Sequence, residues 1–92
     1  MTNVRSLAQK VVVSIEFFGM QRAVTKTDST DMPIKEKKTR VSDALEYVRH
    51  QYPALHLDEG LIFLTVNHEK ASPDRLLNAN DTVSFLPFIG GG

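Results

Sequence analysis

The sequence contains no cysteine and no tryptophan, its charges cancel, and no apolar run approaches the roughly 20 residues that cross a bilayer. Without cysteine there are no disulfides, no thiolate metal ligands and no cysteine nucleophile. Eleven lysines and arginines balance eleven aspartates and glutamates, so no long-range field draws in phosphate backbones and nucleic-acid binding is not expected. Residues 1–9 lack the apolar stretch of a signal peptide. No membrane association is expected, and the expected location is the cytoplasm.

Enzyme motifs are missing as well. The chain has no glycine-rich phosphate loop, no G-x-S-x-G, no H-E-x-x-H and no paired-carboxylate signature. His50, His56 and His68 fall in three different segments. A zinc site needs tighter ligand spacing, so they read as surface residues and no bound metal is expected. An active site of the chain's own is therefore not expected.

What is present suits one small folded unit. A chain of 92 residues has room for a single core, because a domain of this size buries only about 60% of its unfolded surface. Hydrophobic content of 41% and charged content of 24% are ordinary for a globular protein. Residues 10–18 alternate: Val11, Val13, Ile15 and Phe17 share one face, and Val12, Ser14, Glu16 and Phe18 the other. This predicts a strand. A polar stretch at 19–29 reads as a long loop, and Met32 and Ile34 beside Pro33 suggest an edge or bulged strand. From Thr39 the period changes: Val41, Leu45, Val48 and Tyr52, widened by Ala44, predict an amphipathic helix over 41–52. Thr39 or Ser42 could cap it, Asp43 suits the positive end of its dipole, and Pro53 stops it. Residues 61–66 read as a buried strand, 67–70 as a short partner and 82–88 as the last strand. The expected class is α+β, a mixed sheet packed against one main helix.

Three features could carry function. Lys35, Lys37, Lys38 and Arg40 form a basic run broken by Glu36, which reads as a solvated connection more readily than as a dock for an acidic partner. If Val83 and Phe85 face the helix, then Ser84, Leu86 and Phe88 face away, joined by Phe18 from the first strand. Such apolar side chains on an open sheet face suggest partner binding. Last, Ile89 leads straight into Gly90, Gly91 and Gly92. Glycine has no Cβ, so this slender tail could thread a narrow channel and present its terminal carboxylate to a buried centre.

In order and spacing these residues resemble a known family. Phe17-Phe18 with Arg22 after them, Val41 to Leu45, Val66-Asn67, Asn80 to Val83, and Phe85-Leu86-Pro87 before Gly91-Gly92 resemble the ubiquitin-like β-grasp sulfur carriers, most closely the small subunit of molybdopterin synthase. The likeness covers residues 10–92, with 1–9 as an extension, 10–88 as the β-grasp domain and 89–92 as a flexible tail. It implies that an adenylating enzyme related to ubiquitin-activating enzymes, using ATP, activates the Gly92 carboxylate, that a sulfur donor turns it into a thiocarboxylate, and that Gly91 allows passage. No cofactor would be held by the chain itself. The acceptor would be the large subunit of molybdopterin synthase. Rival readings give the sulfur to thiamine, a tRNA base or an amino-acid pathway, join Gly92 to a lysine as a protein modifier, or leave the tail inert on an interaction module. Phe88 where a second proline is common, Lys26 where a glycine is expected, and the added Gly90 depart from the molybdopterin-type pattern.

Overall fold

The computed structural model describes residues 11–87, in the order β1 (Val12–Glu16), α1 (Met20–Thr25), β2 (Ser29–Pro33), α2 (Val41–Gln51), a short 3-10 turn (Glu59–Leu61), β3 (Ile62–Val66), β4 (Glu69–Lys70) and β5 (Thr82–Pro87). The five strands form one sheet in the order β2-β1-β5-β3-β4. β1 and β5 run parallel at its centre and every other pair is antiparallel. This is the mixed sheet expected from the sequence, and β2 with its Pro33 lies at an edge, where a residue without an N–H is tolerated.

The alternation in β1 becomes a division between faces. Val13, Ile15 and Phe17 are buried under α2, with Val11 packed partly against the same core. Val12, Ser14 and Glu16 lie half-buried on the other face. α2 supplies Val41, Ala44, Leu45 and Val48 to the core, and the half-buried Tyr52 places its ring edge-on to Phe17, with centroids 5.5 Å apart. Val83 and Phe85 of β5 and Leu64 and Val66 of β3 complete this layer. Full burial of each such side chain contributes about 1.5–3 kcal/mol.

Two local expectations change. The polar stretch after β1 contains α1, entered through Gly19 at φ 50 and closed by Lys26 at φ 65. Its buried residues are Gln21 and Thr25, one turn apart but polar, so they leave no apolar period to read. The start of α2 is also built differently. Neither Thr39 nor Ser42 caps it: the Thr39 hydroxyl accepts from the Lys35 N–H at 3.0 Å, and the Ser42 N–H donates to the Pro73 carbonyl at 3.0 Å. Arg40 occupies the N-cap in extended conformation, and Asp43 Oδ2 accepts its N–H at 2.8 Å. The Val41 N–H reaches the Arg75 carbonyl at 2.9 Å. The free N–H groups of the first turn are thus satisfied by a loop some thirty residues downstream, which no local cap signal encodes.

Entry into β5 is fixed by side chains. Asn67 and His68, both at positive φ, form the two-residue turn between β3 and β4. Asn67 Nδ2 donates to Asp81 Oδ1 at 2.9 Å and Asn67 Oδ1 accepts the Thr82 N–H at 2.9 Å, while Asp81 Oδ2 accepts the Asn78 N–H at 2.8 Å. The sequence Asn78 to Asp81 therefore works as the turn its composition suggests.

Candidate functional site: the root of the C-terminal tail

β5 leaves the centre of the sheet and ends at Pro87, so the fold hands the chain to residues 88–92 at one end of the molecule. The last β1–β5 pair is Glu16 with Ser84, and β5 continues past it. There Gln21 takes over: its Nε2 donates to the Phe85 carbonyl at 2.5 Å and its Oε1 accepts the Phe18 N–H at 3.0 Å. Gln21 is 7% exposed, and a buried amide with both ends engaged stabilises only while both bonds hold. Its position on α1 thus ties the exit of β5 to the turn after β1.

Opposite α1, Arg49 of α2 holds the chain between α2 and β3. Its Nε and Nη2 donate to the Leu57 carbonyl at 3.1 and 2.6 Å, and its Nη1 pairs with Glu46 at 2.7 Å. This sets Leu55 and Leu57, both buried, against the core. Between these two supports lies an apolar groove of about 400 Å³, with Phe18, Met20 and Val24 on the α1 side, Leu55, Leu57 and Ile62 on the other, and Pro87 at its lip.

The residues expected to bind partners divide. Phe18 lies beyond the end of β1, in the turn before α1, and is 39% exposed along the groove. Leu86 is half-buried on the face away from α2, in register with Phe63, over whose ring Lys70 Nζ sits 5.4 Å from the centroid. Phe88, Gly91 and Gly92 lie outside the described residues. The open face carries polar residues beside Leu86: Ser84, on the face the alternation assigned it, and Thr65 are buried there, joined by the Thr65 hydroxyl donating to the Ser84 carbonyl at 3.3 Å, and Glu16 keeps Oε1 out of solvent without a partner among the described residues. Gln21 and Arg49 were not legible as site residues, since a polar residue in a polar stretch and an arginine on a helix surface carry no distinguishing signal. Among the described residues no three His, Asp or Glu side chains are grouped to hold a metal ion, and no helix is long and apolar enough to cross a membrane.

A family model described as the ThiS family matches residues 15–92, from β1 through the terminal glycines. The chain belongs to the ThiS family. It is thereby a ubiquitin-like protein of the sulfur carrier and modifier group, and its fold is the β-grasp. Solved structures agree on that fold. Small archaeal modifier protein 1 (SAMP1) from Haloferax volcanii superposes with a TM-score of 0.74 at 20% identity, covering 88% of this chain and 99% of that one. A putative molybdopterin converting factor, subunit 1, from Pyrococcus furiosus gives 0.73 at 22% identity, covering 86% and 99%. A chain of the Amycolatopsis orientalis BexX/CysO complex gives 0.61 at 21% identity, covering 87% and 99%. No curated protein matches the chain in sequence.

Proposed function

We propose that this ThiS-family chain is the sulfur carrier of a molybdopterin synthase, with the C-terminal carbonyl of Gly92 as its reacting centre. What supports the carrier chemistry is the family match, which runs through Gly91 and Gly92; the molybdopterin acceptor rests on the resemblance in sequence and on the likeness to the putative molybdopterin converting factor subunit of Pyrococcus furiosus. In the first step a Gly92 carboxylate oxygen attacks the α-phosphorus of ATP held by an adenylating enzyme, expelling pyrophosphate and leaving an acyl-adenylate. A sulfur nucleophile then attacks the carbonyl carbon and expels AMP, so that one carboxylate oxygen is exchanged for sulfur. The chain contributes no acid or base to either step; it contributes a terminus narrow enough to enter both enzymes. Five residues lie between Pro87 and the end of the chain, which at full extension reach about 17 Å beyond β5. Leu86 and Phe18 flank the root of that segment and supply apolar contact for the enzyme receiving it. The acceptor in this reading is the large subunit of molybdopterin synthase.

The likeness to a small archaeal modifier favours a second reading, in which a lysine amine attacks the carbonyl of the same acyl-adenylate, expels AMP and forms an isopeptide bond. Intact mass spectrometry after incubation with ATP, a sulfide source and the adenylating enzyme tests the shared chemistry. The expected product carries sulfur in place of one oxygen at Gly92, and Gly92→Ala lowers its yield at least tenfold. Absence of both adenylate and thiocarboxylate, with an active enzyme control, would refute the carrier reading. Thiocarboxylate that transfers no sulfur to a pterin precursor on the large subunit would move the acceptor elsewhere.

A further inference from the structure

The face of the sheet away from α2 carries a row of side chains, one from each strand. Ser29 of β2 stands opposite Glu16 of β1, Glu16 opposite Ser84 of β5, Ser84 opposite Thr65 of β3, and Thr65 opposite Lys70 of β4. Ser29 and Lys70 are exposed at the two edges, and Lys70 holds its Nζ over the Phe63 ring. Glu16 differs from its neighbours in the row. It is half-buried on a central strand, and its Oε1 is shielded from water yet accepts no hydrogen bond among the described residues. The ion pairs found among those residues, Arg22 with Asp28 and Arg49 with Glu46, do not involve it. Lys70 starts three strands away, about 14 Å at the spacing of paired strands.

A carboxylate oxygen taken out of water without a donor costs the free fold stability. The core does not require it, because the side chain points away from α2. Its surroundings grade across the face: Ser14, with Asp31 and Thr82 in register, lies on one side of the row, and Leu86 beside Phe63 on the other. We infer that Glu16 is a recognition residue whose carboxylate receives an arginine of the adenylating enzyme, set among apolar side chains that meet Leu86 and Phe63. The inference rests on the proposed chemistry only in requiring that enzyme, which the carrier and the modifier readings share and which must engage the chain before any acceptor does. The charges are complementary, since this face offers an acid without a base. A guanidinium suits the position better than an ammonium: it is weakly hydrated, and its parallel N–H groups can reach both carboxylate oxygens. The same group is thus costly in the free chain and favourable in the complex.

Calorimetric titration of the full-length chain into the adenylating enzyme of the same cell, without ATP, tests this apart from the sulfur chemistry. Glu16→Gln keeps the shape and removes the charge, so Kd should rise about tenfold or more while the melting temperature of the free chain holds or rises. Asp31→Asn, exposed on the same face at the β2 edge, should leave Kd unchanged. Glu16→Arg should abolish binding, and one arginine-to-glutamate substitution on the enzyme surface should restore it. An unaltered Kd for Glu16→Gln, with the unsubstituted chain binding, would overturn the inference and leave the carrier reading standing; an unsubstituted chain that does not bind would remove both. A melting temperature lowered by Glu16→Gln would make the residue structural and overturn the inference. So would an effect of that variant confined to pairing between two copies of the chain, or to the acceptor subunit.

Discussion

The two ends of the sheet are finished in different ways. At the end where β2 stops and α2 begins, closure is mainly by backbone: Val41 and Ser42 donate to Arg75 and Pro73, and Leu77 donates to Thr39 at 2.8 Å, with one side chain added where Arg40 Nη1 reaches the Asp74 carbonyl at 2.6 Å. Lys35, Lys37 and Lys38 stand exposed around it. At the other end, where β5 delivers the tail, closure depends on Gln21 and Arg49, and apolar side chains remain on the surface. Backbone pairing satisfies itself and needs nothing further. Exposed Phe18, Met20, Val24 and Leu61 stay costly in water until something covers them. The comparison teaches that the fold is complete at its lysine-rich end and leaves apolar surface at its tail end, where the proposed carrier function would place enzyme contact.

That contrast can be broken by substitution. The largest loss of stability should come from neither end: Leu45→Ala removes a side chain 1% exposed at the centre of the core and should lower the unfolding free energy by about 2–5 kcal/mol in denaturant titration. Gln21→Ala should cost about 1–3 kcal/mol, since it leaves the buried Phe85 carbonyl unpaired. Its signature is local, with amide hydrogen exchange accelerating in residues 84–86 more than in β3; acceleration spread evenly over the sheet would dissolve the special role given to the tail end. Asp43→Ala, which removes the acceptor of the Arg40 N–H, should cost about 0.5–1 kcal/mol by thermal melting. The smallest effect is expected from reversing Lys35, Lys37 and Lys38 together to glutamate. These exposed side chains should change stability by no more than about 0.5 kcal/mol and leave thiocarboxylate yield at Gly92 unchanged. A marked fall in yield would place enzyme docking at the lysine-rich end.

Much of the fold was legible because long stretches obey a single period. Alternation marked β1 and β5, the spacing of Val41, Leu45 and Val48 marked α2, and a β-branched and aromatic run marked β3, each to within about two residues of the observed bounds. α1 was illegible because the side chains it buries are Gln21 and Thr25, and buried polar residues look like surface ones until their partners are known. The cap of α2 was misplaced for a related reason: Thr39 is chemically suited to the N-cap, but its hydroxyl is engaged by Lys35, and Asp43 together with carbonyls from the loop after β4 does the work. Phe18 was expected to continue the face of β1, yet β1 stops at Glu16 and Gly19 turns the chain into α1.

By itself, then, the sequence determined the order of the strands and of α2, the face that β1, α2 and β5 bury, and a run of three glycines after an apolar strand, because these depend on neighbours a few residues apart. Tertiary structure alone decided that Gln21 would close β5 at a carbonyl 64 residues away, that Arg49 would hold Leu57, and that an apolar groove would open beside Pro87. Those arrangements depend on where the sheet brings distant segments together, and the energy that selects them is spread over contacts that no local period records.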